Sequence, residues 1–159
     1  MVLDKDEVQA IIPHRPPFLW IDRVEELKPG EHCIAVAFID PANPIFSGHF
    51  PGNAILPGVL IIESAAQTAA VMLGSVETEA EAPAPQINRN DTHLLASVNK
   101  FRFLKPVKPG DTMRIEISKI GELGTMVSVE AMIWVEKEVV AKGELIVLTV
   151  AQDLQKPTG

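Results

Sequence analysis

Hydrophobic positions along the chain fall into one long apolar block flanked by short, alternating runs. Asp4 and Glu7 stand three residues apart, a capping-box pattern that predicts a short helix ended at Pro13. His14-Arg15-Pro16-Pro17 follows as a stiff, extended stretch. Residues 18–27 and 32–39 read as strands, with Lys28-Pro29-Gly30-Glu31 as the turn between them. Residues 40–57, rich in Pro, Gly and Asn, read as a loop. Residues 59–73 predict the one long helix, ~22 Å in length. Val59, Leu60, Ile61, Ile62, Ala65, Ala66 and Ala69 to Leu73 cover nearly its whole circumference, the pattern of a helix buried in a core or wrapped by a sheet.

Residues 74–92 carry Glu77, Glu79, Glu81, Pro83 and Pro85 and read as a surface loop. Beyond them the helical period is gone. Residues 93–103, 111–120, 125–136 and 139–150 favour strands, and Arg114-Ile115-Glu116-Ile117-Ser118 alternates cleanly. Gly121-Glu122-Leu123-Gly124 and Lys137-Glu138 are hairpin-sized connections, which predicts an antiparallel meander of these four strands. Residues 152–159 read as a flexible tail. The outline is an α+β domain over residues 1–159, a curved antiparallel sheet wrapped around one central apolar helix, with a short helix at the N-terminus. Such a sheet has an edge that must be paired or covered, so a dimer is expected.

Composition narrows the function classes. The net charge of −7 over 159 residues argues against nucleic acid or an anionic membrane as the main partner. No run reaches the ~18 apolar residues of a membrane span. The N-terminal residues lack the pattern of a signal peptide, and the single Cys33 forms no intramolecular disulfide. A cytoplasmic protein is the expectation.

Nucleotide, metal and nucleophile-elbow signatures are missing, so neither a metal nor a bound cofactor is expected. What stands out is Phe46-Ser47-Gly48-His49-Phe50-Pro51-Gly52, followed by Leu56-Pro57-Gly58-Val59-Leu60-Ile61-Ile62-Glu63. His49, between glycine and a Phe-Pro-Gly turn, has a constrained backbone and the side chain best matched to proton abstraction near neutral pH. It can equally be a turn histidine with a local hydrogen bond. Glu63 lies one turn into the apolar helix, where an unpaired carboxylate is costly and a carboxyl kept neutral can serve as a general acid. Arg15 or Arg23 can instead neutralise it, or its side chain can reach solvent. Gln67, four residues on, shares its face and can bond Glu63, a ligand hydroxyl or nearby backbone. Pro57-Gly58 opens the helix, where an unpaired Gly58 N–H can polarise a carbonyl, or simply make a good helix entry. Together a base, an acid and an oxyanion donor suit removal of water from a 3-hydroxyacyl thioester.

These residues carry a family resemblance. Pro13-His14-Arg15-x-Pro17-Phe18-Leu19-x-x-Asp22-Arg23-Val24, Gly48-His49-Phe50-Pro51-Gly52, Pro57-Gly58-Val59-Leu60-x-x-Glu63-x-x-x-Gln67 and Asn99-Lys100-Phe101-Arg102-Phe103-x-x-Pro106-Val107-x-Pro109-Gly110-Asp111 resemble the FabZ-type 3-hydroxyacyl-acyl-carrier-protein dehydratases, in the same order. The resemblance implies a hot-dog fold and a homodimer in which His49 of one subunit meets Glu63 of the other. It implies His49 as base, Glu63 as acid, and an apolar acyl tunnel, and it adds Phe50, Pro57 and Val59 to the substrate-binding set. The substrate it implies rides on the phosphopantetheine arm of acyl carrier protein. Trimers of dimers and heterodimers are also within the family's range. Glu rather than Asp at position 63 favours the FabZ type over the FabA type, which also isomerises the double bond.

The carrier protein is acidic in that family, against this chain's own −7. Residues 99–120 hold a local excess of four positive charges, from which Lys100, Arg102, Lys105 and Lys108 are candidate docking residues, although strand alternation can scatter them over two faces. The chain departs from the family in having no tyrosine, so the tyrosine common near the tunnel entrance is absent or replaced within Asp91-Thr92-His93-Leu94-Leu95. That departure would suit polyketide or polyene synthesis as well as fatty acid synthesis. The competing readings are a hot-dog thioesterase and a non-catalytic partner subunit of a dehydratase heterodimer.

Overall fold

In the computed structural model, which describes residues 1–76 and 91–151, the chain opens with the expected capping box. The Glu7 N–H donates to Asp4 Oδ1 at 2.9 Å and the Asp4 N–H to Glu7 Oε2 at 2.8 Å, starting helix α1 (Lys5–Ile11). Strands β1 (Arg23–Lys28) and β2 (His32–Phe38) follow, then a 3₁₀ turn (Pro44–Ser47) and the long helix α2 (Gly58–Gly74). Strands β3 (Asp91–Phe103), β4 (Thr112–Leu123), β5 (Met126–Val135) and β6 (Glu138–Ala151) complete the described chain. The predicted acidic loop falls mainly on residues 77–90, and the predicted tail on 152–159. Both lie outside the described residues.

The six strands form one antiparallel sheet wrapped against α2, the hot-dog arrangement expected from the sequence. Alternation decides which side faces inward. Met113, Ile115 and Ile117 of β4 and Val129, Ala131 and Ile133 of β5 are fully buried, together with Ala65, Ala69, Val71 and Met72 of α2. Ser64 and Thr68 are buried too, and their hydroxyls donate to the Leu60 and Ser64 carbonyls of the same helix at 2.8 Å. The small residues on α2 allow this close packing. A similar approach joins β3 to β6, where a Cβ on Gly143 would stand 2.6 Å from the Phe101 Cα.

The structure corrects three sequence expectations. The first strand does not begin at residue 18. There the Phe18 carbonyl and the Trp20 N–H bond the Gln67 side chain instead of a neighbouring strand, and pairing with β2 starts only near Arg23. The β4–β5 connection is a two-residue turn at Gly124 and Thr125, tighter than expected, with Gly124 at φ 61°. Most consequentially, the last four strands are not a simple meander. The sheet order is β1-β2-β4-β5-β6-β3, so β3 pairs β6 at the far edge and β4 pairs β2.

That order makes residues 104–111 cross the end of the sheet. Leu104 and Lys105 N–H groups both donate to the Val140 carbonyl, at 2.8 and 3.2 Å, and the Leu56 N–H donates to the Val107 carbonyl at 2.8 Å. The crossing segment is thereby tied to the loop before α2. Helix α2 is also not enclosed all round: Val59, at its N-terminal end, is 70% exposed.

Candidate active site

The loop before α2 is held by its own backbone. The His49 N–H donates to the Ile45 carbonyl, the Ile55 N–H to the His49 carbonyl, and Phe50 and Asn53 exchange both bonds of a tight turn around Gly52, at φ 74°. The glycine is needed there because a left-handed backbone strains any side chain with a Cβ. His49 Nδ1 lies 2.7 Å from the Ile55 carbonyl oxygen. A carbonyl only accepts, so Nδ1 carries a proton, and in the neutral ring the lone pair lies on Nε2. The Phe50 ring stacks on the imidazole with centroids 3.9 Å apart and fixes its plane.

His49 opens into an apolar cavity of about 480 Å³. Ile55 and Leu56 of the preceding loop, Gly58, Val59, Ile61 and Ile62 of α2, Phe103 at the end of β3 and residues 104–107 of the crossing segment form the walls. Gly58 lies at the helix N-terminus, where N–H groups lack intrahelical partners. A Cβ on Gly58 would sit 2.9 Å from Phe103 Cζ, so glycine here lets the far end of that ring come against the helix entry. Phe103 was not among the candidates read from the sequence. Its part in the wall comes from the strand order, which no local pattern reveals.

Glu63 is not among the residues lining this cavity. Its Oε1 accepts from Gln67 Nε2 at 3.0 Å and lies 3.4 Å from His14 Nε2. Arg15 and Arg23, the alternative neutralising partners, are engaged elsewhere: Arg15 with the Ile12 and His14 carbonyls, Arg23 with Glu25. His14 is thus a residue that sequence reasoning quoted in a motif but gave no chemistry. Its Nδ1 is buried with no hydrogen-bond partner among the described residues.

Gln67 is 1% exposed and fully used. Its Oε1 accepts from the Trp20 N–H at 2.9 Å, and its Nε2 donates to the Phe18 carbonyl at 2.8 Å and to Glu63. One side chain thus bonds both the carboxylate and the backbone of residues 18 and 20. Gln67→Leu is expected to cost about 2–3 kcal/mol, because it strands the part-buried Trp20 N–H and Phe18 carbonyl. A drop in the midpoint of urea unfolding at unchanged slope would show it.

The four candidate docking cations do not form one surface. Lys105 lines the His49 cavity, whereas Lys100 and Arg102 border a separate groove with Lys142, Glu130 and Glu144. Lys108 is exposed on the crossing segment, its N–H bonded to Asp111. At the expected tyrosine position, His93 bonds Thr149 and lies against Gly74, while Leu94 and Leu95 are exposed. Burial lowers the pKa of His93, with Asp91 opposing, and pushes the Cys33 thiol up to about 12, which leaves that thiol inert as a nucleophile. Among the described residues, no group of three or more His, Cys, Asp and Glu side chains is placed to hold a metal ion. Nor is any helix there long and apolar enough to cross a membrane.

The model of the FabA-like domain matches residues 12–144, spanning every element of this site. The chain belongs to that family. A 3-hydroxyacyl-[acyl-carrier-protein] dehydratase FabZ of Roseiflexus castenholzii is 42% identical over 151 residues, covering 91% of this chain and 95% of that protein. One of the same description from Desulforamulus reducens is 38% identical, covering 91% and 96%. Among solved structures, the dehydratase heterocomplex ApeI:P from Xenorhabdus doucetiae superimposes with a TM-score of 0.69 at 16% identity, over 91% of each chain. Smu.793 from Streptococcus mutans, bound to acetyl CoA, gives 0.60 at 16%, over 87% of this chain and 94% of that one. At such identities these two attest the hot-dog fold alone.

Proposed function

We propose that this protein removes water from 3-hydroxyacyl thioesters carried on acyl carrier protein, giving trans-2-enoyl thioesters in fatty acid biosynthesis. The observation that carries the reading is His49, whose Nδ1 is committed to the Ile55 carbonyl and which lines an apolar cavity together with Gly58 at the start of α2. The thioester carbonyl accepts from Gly58, which acidifies the α-carbon. Nε2 takes the α-proton, the C2–C3 π bond forms, and the C3–O bond breaks as Glu63 protonates the departing hydroxyl. Water leaves, and a proton passes from the imidazolium to the carboxylate to reset both groups. Every proton is accounted for by side chains, so the reaction calls for no cofactor beyond the substrate's own phosphopantetheine arm. Phe50, Pro57 and Val59 shape the approach to these groups. The cytoplasmic location expected from the sequence goes with this reading.

In the proposed assembly Glu63 comes from the second subunit of a homodimer. Two features support it. Glu63 is absent from the walls of the His49 cavity of its own chain. And β3 ends the sheet with Leu94, Leu95, Val98 and Phe103 all 39–49% exposed, a long apolar edge that needs covering. Further association as trimers of dimers, or a heterodimer, is compatible with the same edge. Of the four candidate cations, Lys100 and Arg102, which border one groove, are the proposed pair facing the acidic carrier.

Incubation with 3-hydroxyacyl carrier protein, followed by mass measurement of the intact carrier, is expected to show loss of one water. Release of the bare phosphopantetheine carrier would make the protein a thioesterase, and an unchanged mass would make it a partner subunit.

A further inference from the structure

We infer that Lys105 is the anion anchor of the His49 cavity, holding the phosphate of the phosphopantetheine arm and not a carboxylate of the carrier protein. The inference rests on the proposed dehydratase reading and assigns one of its cations a specific ligand. Among the described residues that line the cavity, Lys105 is the only Lys, Arg, Asp or Glu; the others are His49, Gly58 and apolar side chains. A neutral acyl chain and a neutral pantetheine amide need no charge in such a cavity. A phosphate at the far end of the arm does, and a lone ammonium at the rim of an apolar wall supplies a compact point charge for it.

The base of Lys105 is fixed while its tip is free to exchange. Its N–H and that of Leu104 both donate to the Val140 carbonyl, and Pro106 follows, so the backbone is pinned to the end of β6. The Nζ meets Glu138 Oε1 at 2.5 Å, with the two side chains 50% and 63% exposed. An ion pair so exposed contributes little, and the arm's phosphodiester, delivered to the rim by the bound substrate, displaces the carboxylate at small cost. Glu138 therefore parks the ammonium at the rim when the cavity is empty and competes with the arm for it. Lys100 and Arg102 border the other groove and do not duplicate this role.

The test compares two carrier-free substrates, a 3-hydroxyacyl phosphopantetheine thioester and the same pantetheine thioester without the phosphate. For Lys105→Met, KM for the phosphorylated substrate is expected to rise about tenfold, the loss of one charged hydrogen bond, with kcat unchanged and the unphosphorylated substrate unaffected. For Glu138→Gln, which removes the competitor, KM for the phosphorylated substrate alone should fall. Equal effects of Lys105→Met on both substrates, or no effect on either, would overturn the anchor while leaving the dehydratase reading standing. Absence of water loss from both substrates with the unsubstituted protein would overturn the dehydratase reading, and the anchor with it.

Discussion

His49→Ala is expected to lower kcat for water loss by roughly 10²–10⁴-fold, the usual contribution of a positioned general base. Glu63→Gln should fall in the same range but fail at a different step. With His49 intact, the α-proton can still leave and return, so Glu63→Gln in deuterated solvent should incorporate deuterium at the α-carbon without forming the enoyl product. His49→Ala should do neither. Both variants are expected to fold. The histidine change frees only the Ile55 carbonyl from one part-buried bond, and a glutamine amide oxygen at position 63 still accepts from Gln67 at the place where Glu63 Oε1 does. Near-full activity in either variant would remove that residue from the mechanism. Deuterium exchange in His49→Ala would assign the base elsewhere, and His14, 3.4 Å from Glu63, would become the group to test.

The sequence made the polar parts of this site legible because their signals are local. A histidine locked by Gly48 and Phe50-Pro51-Gly52, a carboxylate one turn into an apolar helix, and a glutamine four residues later each follow from short-range spacing. The core was equally legible: the alternation in β4 and β5 marks the residues that the structure buries against α2. What local patterns do not contain is the order of strands. Hairpin-sized turns correctly linked β4 to β5 and β5 to β6, but nothing in residues 91–103 distinguishes pairing with β4 from pairing with β6. The difference matters chemically. Pairing with β6 sends residues 104–111 across the sheet end, and that crossing brings Phe103 onto Gly58 and Lys105 to the wall of the His49 cavity. The partners of Glu63 were obscured for a similar reason. Arg15 or Arg23 could have neutralised it by charge, yet the fold puts His14 and Gln67 beside the carboxylate instead.

A heterodimer built from one His49→Ala subunit and one Glu63→Gln subunit is expected to recover about half the activity of the unsubstituted dimer, although each homodimeric variant is nearly dead. The arithmetic follows from sharing. In the proposed two-fold dimer each site takes its histidine from one chain and its carboxylate from the other. The mixed dimer therefore holds one site with His49 and Glu63 both intact, and one site with neither. If both groups came from the same chain, every site in the mixed dimer would lack one of them, and activity would stay at the level of the single variants. Two different affinity tags purify the mixed species away from both homodimers, and the mass of the intact carrier reads its turnover. The outcome separates the two geometries by a factor of about 10² or more, well beyond any effect of folding or tag. It also bears on the exposed edge of β3. Charged substitutions at Leu95 and Val98 that dissociate the proposed dimer should abolish water loss even with His49 and Glu63 both present, because no carboxylate stands among the described residues that line a chain's own His49 cavity.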